Sequence, residues 1–189
     1  NQHGHMAAVG YDLYAELLQE AVKELKGQVA DDAIDPEVML PVSALISDSF
    51  CPDLHERMSF YQRLASAESK DKIDSVMFEL EDVYGSLPVE VQALRISGLI
   101  KLELKKIHAL KMEISRIEDN KLSVAISLSQ KSPVNQEKLM KLLSTPGLLR
   151  VTPQQKVVQT IGIAHPAIND ALLEVALKAI DTVKNDLLS

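Results

Sequence analysis

The sequence predicts an α+β fold, in which amphipathic helices pack with a small antiparallel sheet made of β-hairpins. Apolar residues recur every three or four positions over most of the chain, as they do in helices that bury one face. In two stretches they alternate with polar residues instead, as in strands. The 189 residues include no tryptophan and only 4% aromatic residues. The core must therefore be aliphatic, a composition that suits packed helices.

The N-terminal region predicts a helix, a linker and a strand. Apolar residues at helical spacing run from Leu13 to Leu25, and Gly27 is placed to end this helix. Residues 28–36 form a polar linker. The loose alternation from Glu37 to Ile46 indicates a strand, which Pro41 confines to a sheet edge or a bulge because proline cannot donate a ladder hydrogen bond.

A second helix is predicted to begin after Asp53. The carboxylate of Asp53 is placed to cap the helix, and Glu56 follows three residues later, as in a capping box. The helix should end between Ala65 and Ser69. Its expected buried face consists of Leu54, Met58, Tyr61, Leu64 and Ala65.

Two further helices follow in the middle of the chain. The first runs from Lys70 to Tyr84, and Gly85 and Pro88 end it. A longer and more apolar helix, from about Val89 to Lys105, is predicted to be the central one. The apolar stripe of the Lys70–Tyr84 helix consists of Ile73, Val76, Met77, Leu80 and Tyr84.

The C-terminal half predicts two β-hairpins. Apolar residues alternate with polar ones at Leu110, Met112 and Ile114 and again from Leu122 to Leu128, on either side of a turn at Asp119 and Asn120. The second hairpin joins 148–151 to 156–161 through the turn TPQQ. The first hairpin supplies the longer pair of strands.

Two helices accompany these hairpins. A short helix should open at Pro133 and continue through Leu143, and a closing helix should start at Pro166. The apolar positions of the closing helix keep helical spacing at Ile168, Leu172, Val175, Ala176, Ile180, Val183 and Leu187. Helices followed by hairpins indicate an α+β domain rather than an alternating α/β fold.

Charge and composition narrow the functional classes. The chain has 20 Lys and Arg against 27 Asp and Glu, a net charge of −7, which argues against a domain that mainly holds nucleic-acid phosphate. A basic protein partner is expected instead. The single cysteine excludes an intrachain disulfide, and the absence of an apolar run of about 18 residues excludes a membrane span. A cytoplasmic protein is expected.

The chain is expected to contain one domain. Residues 1–6, NQHGHM, resemble an expression-tag remnant, because His3 and His5 stand just before a methionine. Residues 7–189 are then the single domain.

The sequence contains no convincing catalytic constellation. Cys51 and His55 are four residues apart, but the helix entry at Pro52 and Asp53 separates them, so a half-buried thiol and a surface imidazole are the expected roles. Neither a GxxxxGK[ST] nor a GxGxxG loop is present. We expect no enzymatic activity, no metal and no cofactor for this chain.

The Lys70–Tyr84 helix lies in the most acidic part of the chain. Between positions 68 and 90 the net charge is −5, from Lys70, Lys72 and the acids Glu68, Asp71, Asp74, Glu79, Glu81, Asp82 and Glu90. At about 100° per residue, Phe78 falls among the acids that face away from the apolar stripe, Asp71, Asp74, Glu81 and Asp82, and Glu79 lies on one flank. A ring among carboxylates suits an interface with a basic partner. Alternatively, a neighbouring loop covers Phe78 and the acids are merely solvated.

Three segments carry a resemblance to a known family: VGYDLYAELLQEAVKELKG, EVMLPVSALISDSFCPDLHERMSFYQRLASAES and FELEDVYGSLPVEVQALRISGLIKL. They resemble the C-terminal domain of the bacterial transcription-repair coupling factors. The likeness is strongest from Gly10 to Leu104 and weaker from Ser129 onward.

The resemblance implies a non-catalytic regulatory domain of an ATP-dependent DNA translocase, which displaces stalled RNA polymerase and recruits UvrA in nucleotide excision repair. It implies that this domain packs on an N-terminal UvrB-like module of the same protein and masks its UvrA-binding surface. The implied partner-binding residues are Phe78, Glu79, Asp82 and Val83, with Glu79 and Asp82 paired to arginines of that module. At Val83 the family usually has arginine, so any contact of that basic residue is missing here.

A second hypothesis assigns a different surface. Five basic residues, Lys101, Lys105, Lys106, Lys111 and Arg116, have only Glu103 and Glu113 between them. This run could contact nucleic acid or RNA polymerase. It lacks interleaved exposed aromatic residues, so a solvated helix end is the simpler interpretation.

Overall fold

The computed structural model describes residues 34–145, 147, 149–163 and 168–189. These residues form five helices and five strands and divide into two compact units, 44–98 and 34–43 with 99–189. The helix predicted from Leu13 to Leu25 and the boundary at His165 and Pro166 lie outside the described residues. The α+β class predicted from the sequence is confirmed.

Helices make up the first unit. Helix α1 is Leu54–Ser66, α2 is Lys70–Tyr84, and α3 is Val89–Lys106, which begins in the first unit and ends in the second. Capping side chains fix the starts of α1 and α2: the carboxylate of Asp53 accepts from the Glu56 N–H at 2.9 Å, and the hydroxyl of Ser69 accepts from the Lys72 N–H at 3.2 Å. Gly85, at φ 96°, ends α2.

The core of the first unit is mostly aliphatic, as predicted. One cluster of its buried residues consists of Ile46, Cys51, Phe60, Val76, Met77, Leu80 and Val91. On α2 the predicted stripe is confirmed at Ile73, Val76, Met77 and Leu80, and Tyr84 is half-buried. Gly98 of α3 lets the helix approach α2, since a Cβ there would stand 3.1 Å from the Ile73 side chain.

The buried face of α1 agrees with the prediction only in part. Tyr61 and Leu64 pack partly buried against the core, but Leu54 is 53% exposed, and Arg57 and Phe60, which were not predicted, are buried. The guanidinium of Arg57 donates to the carbonyls of Cys51 at 2.8 Å and Pro52 at 3.3 Å. These bonds to the loop before the helix make burial of a charged side chain tolerable.

The second unit contains a five-stranded sheet in the order β1-β2-β3-β5-β4. The strands are β1 Glu37–Met39, β2 Ala109–Glu118, β3 Lys121–Leu128, β4 Leu149–Val151 and β5 Lys156–Gly162. Both predicted hairpins are present, β2–β3 and β4–β5. The sheet is mixed rather than antiparallel, because β1 pairs with β2 in parallel.

Two details of the sheet differ from the sequence prediction. Strand β1 lies at the sheet edge as expected, but it ends at Met39, two residues before Pro41, instead of continuing to Ile46. Leu110 is exposed although its alternation with Met112 suggested burial. A register shift between Ala109 and Lys111 interrupts the alternation there, so that Ala109 is buried instead.

Two helices complete the second unit. Helix α4, Gln136–Ser144, starts later than the predicted Pro133 because the side chain of Asn135 caps it, accepting from the Lys138 N–H at 3.1 Å. Helix α5 is Ile168–Asp186. Gln159 of β5 donates to the Ala179 carbonyl of α5 at 3.1 Å. The buried residues of α5 include the predicted Leu172, Val175, Ala176, Ile180 and Val183.

Candidate protein-binding surface on the acidic helix

The outward face of α2 combines apolar and acidic side chains. Phe78 is 72% exposed and Val83 61% exposed, while Leu80 between them is fully buried. The ring of Phe78 therefore lies in solvent, and the described part of the chain has no loop over it. This contradicts the alternative in which a neighbouring loop covers the ring.

Asp82 is an exposed acidic neighbour of Phe78 on this face. The two residues are four positions apart on α2, so they lie one helical turn apart on the same side. Asp82 is exposed, and its carboxylate has no hydrogen bond or ion pair with another described residue. Asp82 can therefore accept a cationic side chain from outside the domain.

Glu79 already has a partner inside the domain. Arg63 of α1 donates from Nη2 to Oε2 of Glu79 at 2.5 Å, and the two side chains are 43% and 47% exposed. The hydrogen bond from Arg63 holds the pKa of Glu79 below its usual range. The guanidinium of Arg63 also lies over the Phe60 ring, 5.5 Å from its centroid.

Aromatic contacts and one further hydrogen bond join α1 to α2 at the other end. The hydroxyl of Tyr84 donates to the carboxylate of Glu56. The Tyr84 ring packs against Phe50 and Phe60, with centroid distances of 5.6 and 6.2 Å. Hydrogen bonds with Cys51 and Glu56 raise the pKa of Tyr84 above its ordinary value. These contacts make α1 and α2 one platform for the outward face.

One ion pair also joins α2 to α3. Asp74 accepts from Arg95 Nε of α3 at 2.7 Å, and within α2 it accepts from Lys70 Nζ at 3.0 Å. Asp74 was expected on the acidic outward face, but these bonds place it at the α2–α3 contact. The hydrogen bond from Arg95 is the main cause that lowers the pKa of Asp74.

The other residues considered for chemistry do not come together. His55 is exposed, as expected, whereas Cys51 is fully buried rather than half-buried. In the described ranges, no three His, Cys, Asp or Glu residues form a group that could hold a metal ion. Helices long and apolar enough to cross a membrane are likewise absent from these ranges.

The basic run is partly neutralised. Lys106 pairs with Glu103 at 2.9 Å, and Lys184 of α5 approaches the same carboxylate at 4.0 Å. Lys111 is half-buried on β2, and Arg116 is exposed. The run is split between a helix end and a strand, so it does not form a single helical stripe.

Arg63 is the residue of this surface that the sequence did not reveal. It lies 16 positions before Glu79, on another helix, and no local spacing rule joins them. The one signal in the sequence was a basic residue near the end of α1, facing a helix with a large excess of acids.

Comparison with known proteins agrees with this fold. A family model described as the TRCF domain matches residues 40–139, which is more than half of the chain. This chain belongs to the TRCF domain family. The transcription-repair-coupling factors of Myxococcus xanthus and Escherichia coli K12 are relatives of this TRCF domain, each 33% identical over 158 residues. These alignments cover 83% and 81% of the chain but only 13% of each relative.

A solved structure supports the same assignment at the level of fold. The crystal structure of the C-terminal domain of a transcription-repair coupling factor matches this TRCF domain with a TM-score of 0.59 and 18% sequence identity. The match covers 80% of this chain and 95% of the other. The chain therefore has the fold of a transcription-repair coupling factor's C-terminal domain.

Proposed function

We propose that this TRCF domain is a non-catalytic, autoinhibitory interaction domain of a transcription-repair coupling factor. Its partner is the N-terminal UvrB-like module of the same protein, and the contact surface is the outward face of α2, with Phe78, Glu79, Asp82 and Val83. The exposure of Phe78 beside Asp82, whose carboxylate pairs with no other residue in the described ranges, is the observation that carries this proposal. The domain needs no cofactor for this role.

The energetics of interfaces support this assignment. Protein interfaces derive much of their affinity from a few large side chains that are buried on binding, and aromatic residues are prominent among them. Phe78 is such a side chain, already fixed on a helix that the core holds in place. Acidic groups beside it favour a partner with arginine or lysine and speed its association.

The proposed contact masks the UvrA-binding surface of the N-terminal module. The parent protein is then an ATP-dependent DNA translocase in the bacterial cytoplasm, which displaces stalled RNA polymerase and recruits UvrA once the contact opens. The relatives' name, transcription-repair-coupling factor, supports a role in transcription-coupled DNA repair.

Val83 adapts this surface to its partner. The side chain is 61% exposed on the α2 flank that carries Glu79. Where a family member has arginine, an (i, i+4) ion pair to the residue at position 79 is possible within the helix. In this chain valine offers apolar area instead, and Arg63 supplies the guanidinium from α1.

Charge reversal tests the proposed contact. In a calorimetric titration of the isolated N-terminal module with this chain, E79K/D82K should weaken binding at least tenfold, because two attractive pairs become repulsive. The matched control is the double reversal E137K/E174K, since both of these exposed acids lie on helices of the other unit. Equal affinity of E79K/D82K and wild type at moderate salt would refute the contact.

The alternative function, contact with nucleic acid or RNA polymerase through Lys101–Arg116, has less support. Glu103 takes up part of the positive charge of this run. If the alternative were correct, the chain would shift duplex DNA at low salt with a steep salt dependence. We expect no such shift for an interaction domain that binds through α2.

A further inference from the structure

Glu79 and Asp82 are the two carboxylates that the proposed function pairs with the partner, and Arg63 already forms an ion pair with Glu79. Its Nη2 atom lies 2.5 Å from Oε2 of Glu79, so a cation approaching Glu79 meets a guanidinium already bound there. The guanidinium also stacks on the Phe60 ring, with Cζ of Arg63 5.5 Å from the ring centroid. Arg63 is therefore positioned on Glu79 in the free domain.

The two acids of the surface differ in availability as a result. Glu79 remains 47% exposed but shares its charge with Arg63, whereas Asp82 has no ion pair with any described residue. A cationic partner residue that approached Glu79 would also be repelled by Arg63. In the free domain, Asp82 and Phe78 are therefore more available to a partner than Glu79.

We propose that Arg63 is a specificity-determining residue of this surface, an internal competitor that a partner's cationic side chain must displace from Glu79. This inference rests on the proposed function, because it concerns the same surface. A partner that places one arginine or lysine on Asp82 and an apolar pocket around Phe78 can bind without displacing Arg63. A second cationic side chain of the partner can pair with Glu79 only if it replaces Arg63 there.

The direction in which removal of Arg63 changes the affinity distinguishes a competing Arg63 from one that helps the partner bind. If Arg63 merely oriented Glu79 for the partner, its removal would weaken binding. If Arg63 competes, its removal frees a carboxylate and removes a repulsion, and binding becomes tighter. Solvent-exposed ion pairs contribute about 1 kcal/mol or less, so the gain should be about three- to fivefold in affinity.

The test compares R63M, R63K and wild type in calorimetric titrations of the N-terminal UvrB-like module, at low and moderate salt. Methionine keeps an unbranched apolar stem on Phe60 but removes the charge. We expect R63M to bind about three- to fivefold more tightly, with the gain reduced at higher salt, and R63K to resemble wild type. In an E79Q background the same R63M substitution should give no gain. If R63M unfolds, R63Q replaces it.

An independent readout checks the ion pair itself without the partner. In R63M, carboxyl NMR titration should show that the pKa of Glu79 returns toward its ordinary value of 4.5. Equal or weaker binding by R63M would overturn the inference while leaving the proposed function intact, provided that D82K weakens binding. If D82K has no effect on affinity, the surface is not the binding site and the proposed function fails as well.

Discussion

Phe78 and Leu80 stand two positions apart on α2, with exposures of 72% and 0%. Leu80 packs into the core of the first unit, whereas Phe78 contacts the solvent. The two apolar side chains therefore contribute to different properties. Leu80 stabilises the fold, and we assign Phe78 to partner binding.

Truncation of each side chain separates the two roles. F78A should change the free energy of unfolding by no more than about 0.5 kcal/mol, because the removed ring is exposed. It should weaken binding to the N-terminal module by roughly 1–2 kcal/mol, since the ring is the proposed anchor. L80A, the control, should destabilise the domain by about 2–5 kcal/mol through loss of buried volume. Urea denaturation and titration measure these quantities, and unchanged affinity in F78A would contradict the anchor role.

At the scale of elements, the ion pairs of Asp74 help to hold α2 in place. Arg95 and Lys70 keep this carboxylate ionised, and its pKa in the folded domain is below the ordinary value of 3.8. A lowered pKa in the folded state means that the ionised carboxylate stabilises the fold above pH 3.8. This contribution is lost as the pH falls through the folded-state pKa.

The substitution D74N should therefore have an effect that depends on pH. At pH 7 it should lower the free energy of unfolding by about 1 kcal/mol, a figure reduced for the partial exposure of both side chains. The difference from wild type should shrink as the pH falls from 3.8 through the lowered folded-state pKa, where the wild-type carboxylate becomes protonated as well. Urea denaturation across pH checks this, with D71N, an exposed acid on the same helix, as control. A difference that stays constant from neutral pH to well below 3.8 would contradict the role of the ion pair.

Element boundaries could be predicted from the sequence where local chemistry sets them. The ends of α2 agree with the prediction at both residues, because Ser69 caps the start and Gly85 ends the helix. The β2–β3 hairpin was equally readable from its alternation and the Asp119–Asn120 turn. In contrast, the bulge after Ala109 leaves no mark in the sequence, so the exposure of Leu110 was missed.

Features that depend on how helices pack were not predictable in the same way. The burial of Arg57 follows from carbonyls of the loop before α1, and the Arg63–Glu79 pair follows from the approach of α1 to α2. Sequence spacing correctly identified Phe78 as an outward residue of α2. It could not show that Glu79 is already paired with Arg63 while Asp82 forms no ion pair with the rest of the described chain.

At the scale of the whole molecule, the two candidate binding surfaces lie in different compact units. The α2 surface and Arg63 belong to the unit 44–98, and the basic run from Lys101 to Arg116 belongs to the unit that includes 99–189. The net charge of −7 favours a basic partner over nucleic acid at long range. A measurement resolved by residue can therefore distinguish the two surfaces in one experiment.

The most direct such measurement is an NMR titration of the ¹⁵N-labelled chain with the unlabelled N-terminal UvrB-like module. We predict that the amide signals of Phe78, Glu79, Asp82 and Val83 shift or broaden first, together with that of Arg63. Signals from Lys101 to Arg116 should stay in place. Changes confined to Lys101–Arg116, with the outward face of α2 unaffected at saturation, would contradict the central claim.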